Sequence, residues 1–259
     1  MSEWTLGAVL DAIAEVAPDR VMTVCGERRS TFAESADRTR RLANFLIDKG
    51  FGAHRERAAL NNWECGQDRV ALILHNDLYP DMVIGCCKAR VVPVNVNHYY
   101  SPGEIADLLG YLLPRGIIYH RSLGAKFADV LPPDSAELLV SVNDGSDAPE
   151  LPGAVSLDDV LAQGITDHAV TVSPDDLLMI CTGGTTGRPK GVLWRQSDSY
   201  VVSMNGDDHA CVEEIHAKVR ETGAPWFAVS PLMHAAGMWT AFAAIMNGLT
   251  VILSNTQAK

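Results

Sequence analysis

From Met179 to Lys190 the chain reads Met-Ile-Cys-Thr-Gly-Gly-Thr-Thr-Gly-Arg-Pro-Lys, an apolar strand that breaks into a glycine- and threonine-rich loop ending in one lysine. Such a loop is suited to hold phosphate. Gly183, Gly184 and Gly187 accept φ > 0 and let backbone approach an oxyanion closely, so successive N–H groups can form an anion-binding nest. Thr182, Thr185 and Thr186 add hydroxyl donors, and Lys190 adds a point charge. Pro189 fixes its own φ and pushes Arg188 toward extended backbone, which stiffens the loop exit. A Walker A loop requires lysine directly after its last glycine and then Ser or Thr. Here Arg-Pro separates Gly187 from Lys190 and Gly191 follows, so the magnesium-binding hydroxyl is out of place and the P-loop kinase or ATPase reading falls away.

Other candidates are weaker singly. His234 follows a short apolar run and precedes a helical one, with Ser230 and Pro231 before it and Gly237 after it, a turn position that can face a pocket. Gly237, Met238 and Trp239 could line an apolar substrate tunnel or serve as ordinary helix packing. Trp194-Arg195 could stack on or pair with a ligand, or sit exposed at a helix start. His209, Glu213 and His216 have the spacing to share one helical face, as metal ligands would, but Asp207, Asp208 and Glu214 around them make a solvated acidic face the simpler expectation; no metal site is assigned.

Four segments, in order along the chain, resemble one family. Met179 to Lys190 resembles the phosphate-loop signature of the adenylate-forming superfamily, which holds acyl- and aryl-CoA synthetases, luciferases and peptide-synthetase adenylation domains. Ser30-Thr31-Phe32-Ala33-Glu34 and the Arg-rich stretch after it resemble the family's early helix, Cys87 to Asn97 its second core segment, and Ser230 to Gly237 the segment carrying a His or aromatic residue beside the acyl and nucleotide sites. In finer detail the loop is similar to those of actinobacterial fatty-acyl and steroid-acid CoA synthetases. The resemblance implies an ATP-dependent ligase in which a small-molecule carboxylic acid is adenylated and the acyl group passes to coenzyme A, with Mg²⁺ on the phosphates. It implies catalytic roles for His234 and Lys190, nucleotide binding by Thr182, Gly183, Gly184, Thr185, Thr186, Gly187 and Lys190, and acyl contact by His234, Gly237, Met238 and Trp239.

Relatives carry further motifs beyond the His234 segment, including an adenine- and magnesium-contacting motif and a mobile C-terminal domain. The expectation is therefore an incomplete N-terminal domain of that ligase fold, inactive alone and self-associating, with Thr250 to Leu253 as an unpaired sheet edge. A carrier-protein adenylation domain or luciferase-like enzyme is the alternative within the superfamily. A non-catalytic anion- or partner-binding fragment is the alternative outside it.

The elements that must position these residues follow from pattern. With 259 residues, 47% of them hydrophobic, the chain can bury a substantial core, while a net charge of −11 argues against nucleic acid and anionic membranes as partners. No signal peptide or transmembrane run is read in it, and its six scattered cysteines, with Cys86-Cys87 in an apolar run, fit free thiols in a reducing cytoplasm. Leu6, Val9, Leu10 and Ile13 recur at helical spacing; Val21–Cys25 and 29–31 form a hairpin leading into a helix with a Thr31-to-Glu34 capping box. Residues 53–67 show no period and read as a surface excursion. From 69 onward strands and helices alternate: strands at 69–74, 91–96, 116–119 and 138–142, helices at 78–89, 102–113 and 123–130. That is an α/β pattern of largely parallel sheets flanked by helices. After a polar connection at 143–153, strands are expected at 177–181, 226–229 and 250–253 and a helix at 235–247. The division expected is a first α/β subdomain over 1–172 and a second beginning at 173.

Overall fold

The computed structural model describes residues 3–131, 136–163, 167–168, 170–182, 189–221 and 223–255. In chain order the elements are α1 (Leu6–Val16), β1 (Val21–Cys25), β2 (Arg28–Thr31), α2 (Phe32–Asp48), β3 (Arg69–Ile73), α3 (Tyr79–Lys88), β4 (Val92–Asn95), α4 (Pro102–Leu112), β5 (Gly116–His120), α5 (Arg121–Phe127) and β6 (Leu138–Val142). They continue with β7 (Val155–Ser156), α6 (Leu157–Ala162), β8 (Leu177–Thr182), β9 (Lys190–Arg195), α7 (Gln196–Ser203), α8 (Val212–Arg220), β10 (Trp226–Phe227), α9 (Ala235–Ile245) and β11 (Val251–Leu253).

Local chemistry starts and stops the helices where the sequence indicates. Thr31 accepts from Glu34 N–H while the Glu34 carboxylate accepts from Thr31 N–H, the reciprocal pairing that satisfies two otherwise orphaned donors at the head of α2. Ser101 and Glu104 repeat the device at α4, with Pro102 in the first turn.

The strands form two sheets. One has seven strands in the order β7-β6-β5-β3-β4-β8-β9, parallel except for the β8–β9 pair, and the other has four in the order β10-β11-β1-β2. Alternation along the seven-stranded sheet divides the core into two layers. Val70, Leu72, Ile118, Leu178 and Ile180 face α2 and α3, while Ala71, Ile73, Ile117, Tyr119, Leu177 and Met179 face α4 and Phe127. A parallel sheet covered on both faces in this way explains why its strands read as nearly continuous apolar runs. Cys86 and Cys87 are buried in the first layer, where burial pushes their thiols up. Among the described residues no helix is long and apolar enough to cross a membrane.

One strand goes beyond the sequence pattern, and one expectation is corrected. Residues 190–195, to which the pattern gives no element, form a strand antiparallel to β8 with Thr182 opposite Lys190. Trp194 therefore lies on β9 and packs edge-to-face on Trp239, while Arg195 sits at the N-cap of α7 and is bound to Asp175 and Asp198. The run at 250–253 is not an edge, since β11 is paired on one side by β1 and on the other by β10. β8 and β9 complete the seven-stranded sheet, and β1 and β2 complete the four-stranded one.

The excursion at 53–67 closes on itself. Arg57 donates to the carbonyls of Asn61 and Glu64, and Glu64 accepts from Asn61. It is anchored by Arg90, which holds a left-handed backbone (φ 58) and spreads its guanidinium across Glu56 and Asp176. Two bidentate pairs offset the backbone strain of a non-glycine residue there.

The head of α9 lies against the turn before it. At Gly237 a Cβ would overlap the carbonyl oxygens of Ser230 and Pro231, so only hydrogen fits. Gly110, mid-α4, has open space where a Cβ would stand. Gly237→Ala should destabilise by about 1–3 kcal/mol through overpacking, while Gly110→Ala should stabilise by about 0.5–1 kcal/mol. Urea unfolding of the two variants checks the pair; a Gly237→Ala protein as stable as wild type would contradict the close approach.

Candidate functional site

Four strand ends frame one cavity of about 420 Å³. From the seven-stranded sheet, His75 and Asn76 follow β3 and His98 and Tyr99 follow β4; from the other, Val229, Ser230 and Pro231 follow β10, and Ser254 and Asn255 follow β11. His234 completes the wall. Both pairs of strands are parallel and present their carboxyl ends, where open α/β sheets bind ligands. Among the described residues the lining offers imidazole, amide and hydroxyl groups and no acidic side chain.

Two asparagines hold the turn that carries His234. Asn76 accepts from Leu232 N–H at 2.8 Å and donates through Nδ2 to the Ser254 carbonyl at 2.6 Å, while its own N–H goes to Asn255 Oδ1 at 2.9 Å. Asn95, the last residue of β4, donates through Nδ2 to the Met233 carbonyl and accepts from Cys181 N–H at 2.6 Å. Leu232 and Met233 are buried, and the next side chain, His234, is exposed.

Behind one wall stand three histidines. The His75 ring centroid lies 5.0 Å from that of His98 and 5.2 Å from that of His120. His75 N–H donates to His120 Nδ1, which leaves the ring proton on Nε2, 3.0 Å from Asp77 Oδ1. Burial works against ionisation of Asp77, but His120 and Arg28 outweigh it and hold the carboxyl below its usual range. Burial and then the neighbouring His75 push His98 down to about 4, with Lys126 adding to the effect. His75 is lowered too, by burial and then by His120. Both cavity-facing rings are therefore neutral at pH 7.

Of the residues singled out in the sequence, the structure brings His234 into the lining. Thr182 and Lys190 face each other at the root of the β8–β9 hairpin, both exposed, one residue beyond the Asn95 contact. Gly183, Gly184, Thr185, Thr186 and Gly187 lie outside the described residues. Met238 is buried in the core, Gly237 supplies the close approach described above, and Trp239 is half-buried on Trp194. His209 precedes α8 rather than lying on it and faces Glu214, while His216 faces Glu15; among the described residues no three such side chains converge as metal ligands would. Sequence reasoning missed His75, Asn76, Asn95 and His98. The available signal was their position, polar residues at or just past the carboxyl ends of apolar strands.

The His98 environment fixes a pH response. A histidine whose folded pKa lies below its unfolded value disfavours the proton in the native state, so its contribution is complete above about pH 6.5 and is lost as pH falls toward 4. The loss amounts to about 3 kcal/mol at most; His75 acts with the same sign. His98→Gln should therefore lose less stability than wild type between pH 7 and pH 4.5 in urea unfolding. Parallel pH dependences for the two proteins would contradict the buried, neutral imidazole.

The AMP-binding enzyme family matches residues 10–259. The medium-chain acyl-CoA ligase Mig of Mycobacterium avium is 36% identical, the match covering 96% of this chain and 47% of that protein. The medium/long-chain-fatty-acid–CoA/3-oxocholest-4-en-26-oate–CoA ligase of Mycobacterium marinum is 31% identical over 93% of this chain and 44% of its own length. Among solved structures, a benzoate CoA ligase from Burkholderia xenovorans LB400 superposes with a TM-score of 0.75 at 19% identity, covering 99% of this chain and 46% of that one. MbtA of Mycobacterium smegmatis gives 0.74 at 21% identity, covering 98% and 44%. The chain spans under half the length of these curated relatives. With the family matched across nearly all of its residues, and the structural likeness carrying the same fold, the chain belongs to the AMP-binding enzymes.

Proposed function

We propose that this chain supplies the phosphate-holding hairpin and the His234 wall of an ATP-dependent acyl-CoA synthetase. The observation that carries the reading is His234 in the lining of a cavity at the carboxyl ends of parallel strands, with Thr182 and Lys190 paired at the root of the β8–β9 hairpin. In the first half-reaction a carboxylate oxygen attacks the α-phosphorus of ATP, a C–O–P bond forms, the α–β phosphoanhydride bond breaks and pyrophosphate leaves. In the second, the sulfur of coenzyme A attacks the acyl carbon, the thioester forms, AMP leaves and the thiol proton is released. The first step brings an anion onto a polyanion, so the protein must neutralise phosphate charge and hold the groups in line.

The donor set suits that task. Neutral imidazoles, amides and hydroxyls present N–H and O–H groups to anions, and Lys190 adds a cation at the hairpin root. Among the described residues the cavity lining offers no carboxylate that would hold Mg²⁺. The acid class that the named relatives support is a medium- or long-chain fatty acid or a steroid side-chain acid, and the reaction belongs in the cytoplasm, where ATP and free coenzyme A are at hand. The self-association expected of this chain falls to the edge strand β10, whose Trp226 and Phe227 are exposed. Light scattering over a dilution series should show a dimer or larger species; a monomer at every concentration would remove that part of the proposal.

In the complete gene product, Lys190→Ala should slow acid-dependent ATP–pyrophosphate exchange by about 10²-fold while leaving the unfolding midpoint near wild type. Thr185→Val should act in the same direction. Wild-type exchange kinetics in both variants would show that the hairpin has another role. Thioester formation with free coenzyme A, across fatty, aromatic and steroid acids, separates a CoA ligase from an adenylating enzyme that hands its acyl group to a carrier protein.

A further inference from the structure

We propose that Asn95 is a positioning residue for the adenylation half-reaction, its single amide setting the hairpin root at Thr182 and Lys190 relative to His234. The proposal rests on the ligase reading above and assigns it a buried residue that is not among those lining the cavity.

Three observations point to Asn95. Its amide joins the two segments that carry the proposed reactive groups: Oδ1 accepts from Cys181 N–H, one residue before Thr182, and Nδ2 donates to the Met233 carbonyl, one residue before His234. The amide stands where backbone pairing stops. The β4–β8 ladder matches Val94 with Met179, and the next stretch of β8 is held by the Asn95 side chain instead of by β4 backbone. Finally, the amide is 5% exposed, so water cannot readily take the place of either partner.

The geometry of an amide makes this more than packing. Oδ1 and Nδ2 belong to one rigid plane, so the distance between the two backbone groups they bind is set by covalent structure. Lys190 shares that reference because it pairs directly with Thr182. Asn76 does a different job: it holds Leu232 N–H and the Ser254 carbonyl, tying the turn to β11 without reaching β8. Only Asn95 bonds to both segments among the described side chains. A displacement of about 1 Å between reacting groups costs about 10²-fold in rate, and the two-segment link is where such a displacement would arise.

The test uses the complete gene product. Asn95→Ala removes the amide, Asn95→Leu keeps its volume without its hydrogen bonds, and Asn247→Ala deletes another buried amide, one that bonds Met204 and Ala243 away from the cavity. Both Asn95 variants should slow ATP–pyrophosphate exchange by about 10²-fold yet make thioester from supplied acyl-adenylate and coenzyme A within about threefold of wild type. Asn247→Ala should stay within about threefold in both assays. Amide hydrogen exchange should quicken in 177–182 and in 230–238 together in the Asn95 variants, and in neither segment in Asn247→Ala. Equal losses in the two half-reactions, or faster exchange in one segment alone, would overturn the role of Asn95. A wild-type protein that exchanges pyrophosphate with no acid would overturn the ligase reading, and the hydrogen-exchange result would then decide the Asn95 link by itself.

Discussion

The turn from Ser230 to His234 leaves β10 of one sheet and passes beside the β3 and β4 ends of the other, and its backbone must be satisfied without a ladder to join. Leu232 and Met233 are buried, so their peptide groups are carried out of water with them. Leaving one such donor or acceptor unpaired costs about 1–3 kcal/mol. Strand ends cannot meet the need with regular pairing, because they stop where the turn passes. Asparagine can, since it carries a donor and an acceptor on a short stem with few rotamers to lose. Asn76 and Asn95 are thus polar residues buried for a stated reason, and the position of His234 follows from them.

The same constraint shapes the electrostatics. The chain as a whole carries a net charge of −11, yet among the described residues the cavity wall contains no acid. Asp77, the carboxylate nearest the histidine cluster, is engaged by Arg28 and His120. Burial keeps His75 and His98 neutral, so the wall presents dipoles rather than fixed charge. A low-dielectric wall of donors favours an anion without trapping it by charge, and the proposed chemistry, in which an anionic substrate must still move and react, needs that balance.

Much of the fold was legible because it rests on local pattern. The capping box at Thr31, the apolar strand at 69–73 and the alternation of strands with helices follow from spacing alone. The strand at 190–195 was missed because its burial is partial along its length, so no clean alternation marks it. The short elements at 155–162 were missed because a two-residue strand has no period to detect. The site was half visible. His234 and the glycine loop announce themselves by residue type, while Asn76 and His98 look like ordinary loop residues, and Asn95 like the end of a strand, until topology shows that four strand ends meet there.

Topology also explains why the run at 250–253 misled. Its neighbour β1 lies near the other end of the chain, and the hydrogen bond from Thr250 Oγ1 to the Val21 carbonyl spans 229 residues. No local reading can supply a partner so distant. Such pairings carry a large loop-closure cost before any contact rewards them, which makes the four-stranded sheet the demanding part of the fold to assemble. Two walls of the cavity, the β10 and β11 ends, belong to that sheet, and Asn76 reaches across to both Leu232 and Ser254. The cavity therefore rests on long-range closure: the amide contacts that place His234 join Asn76 to Leu232 and Asn95 to Met233, across 156 and 138 residues.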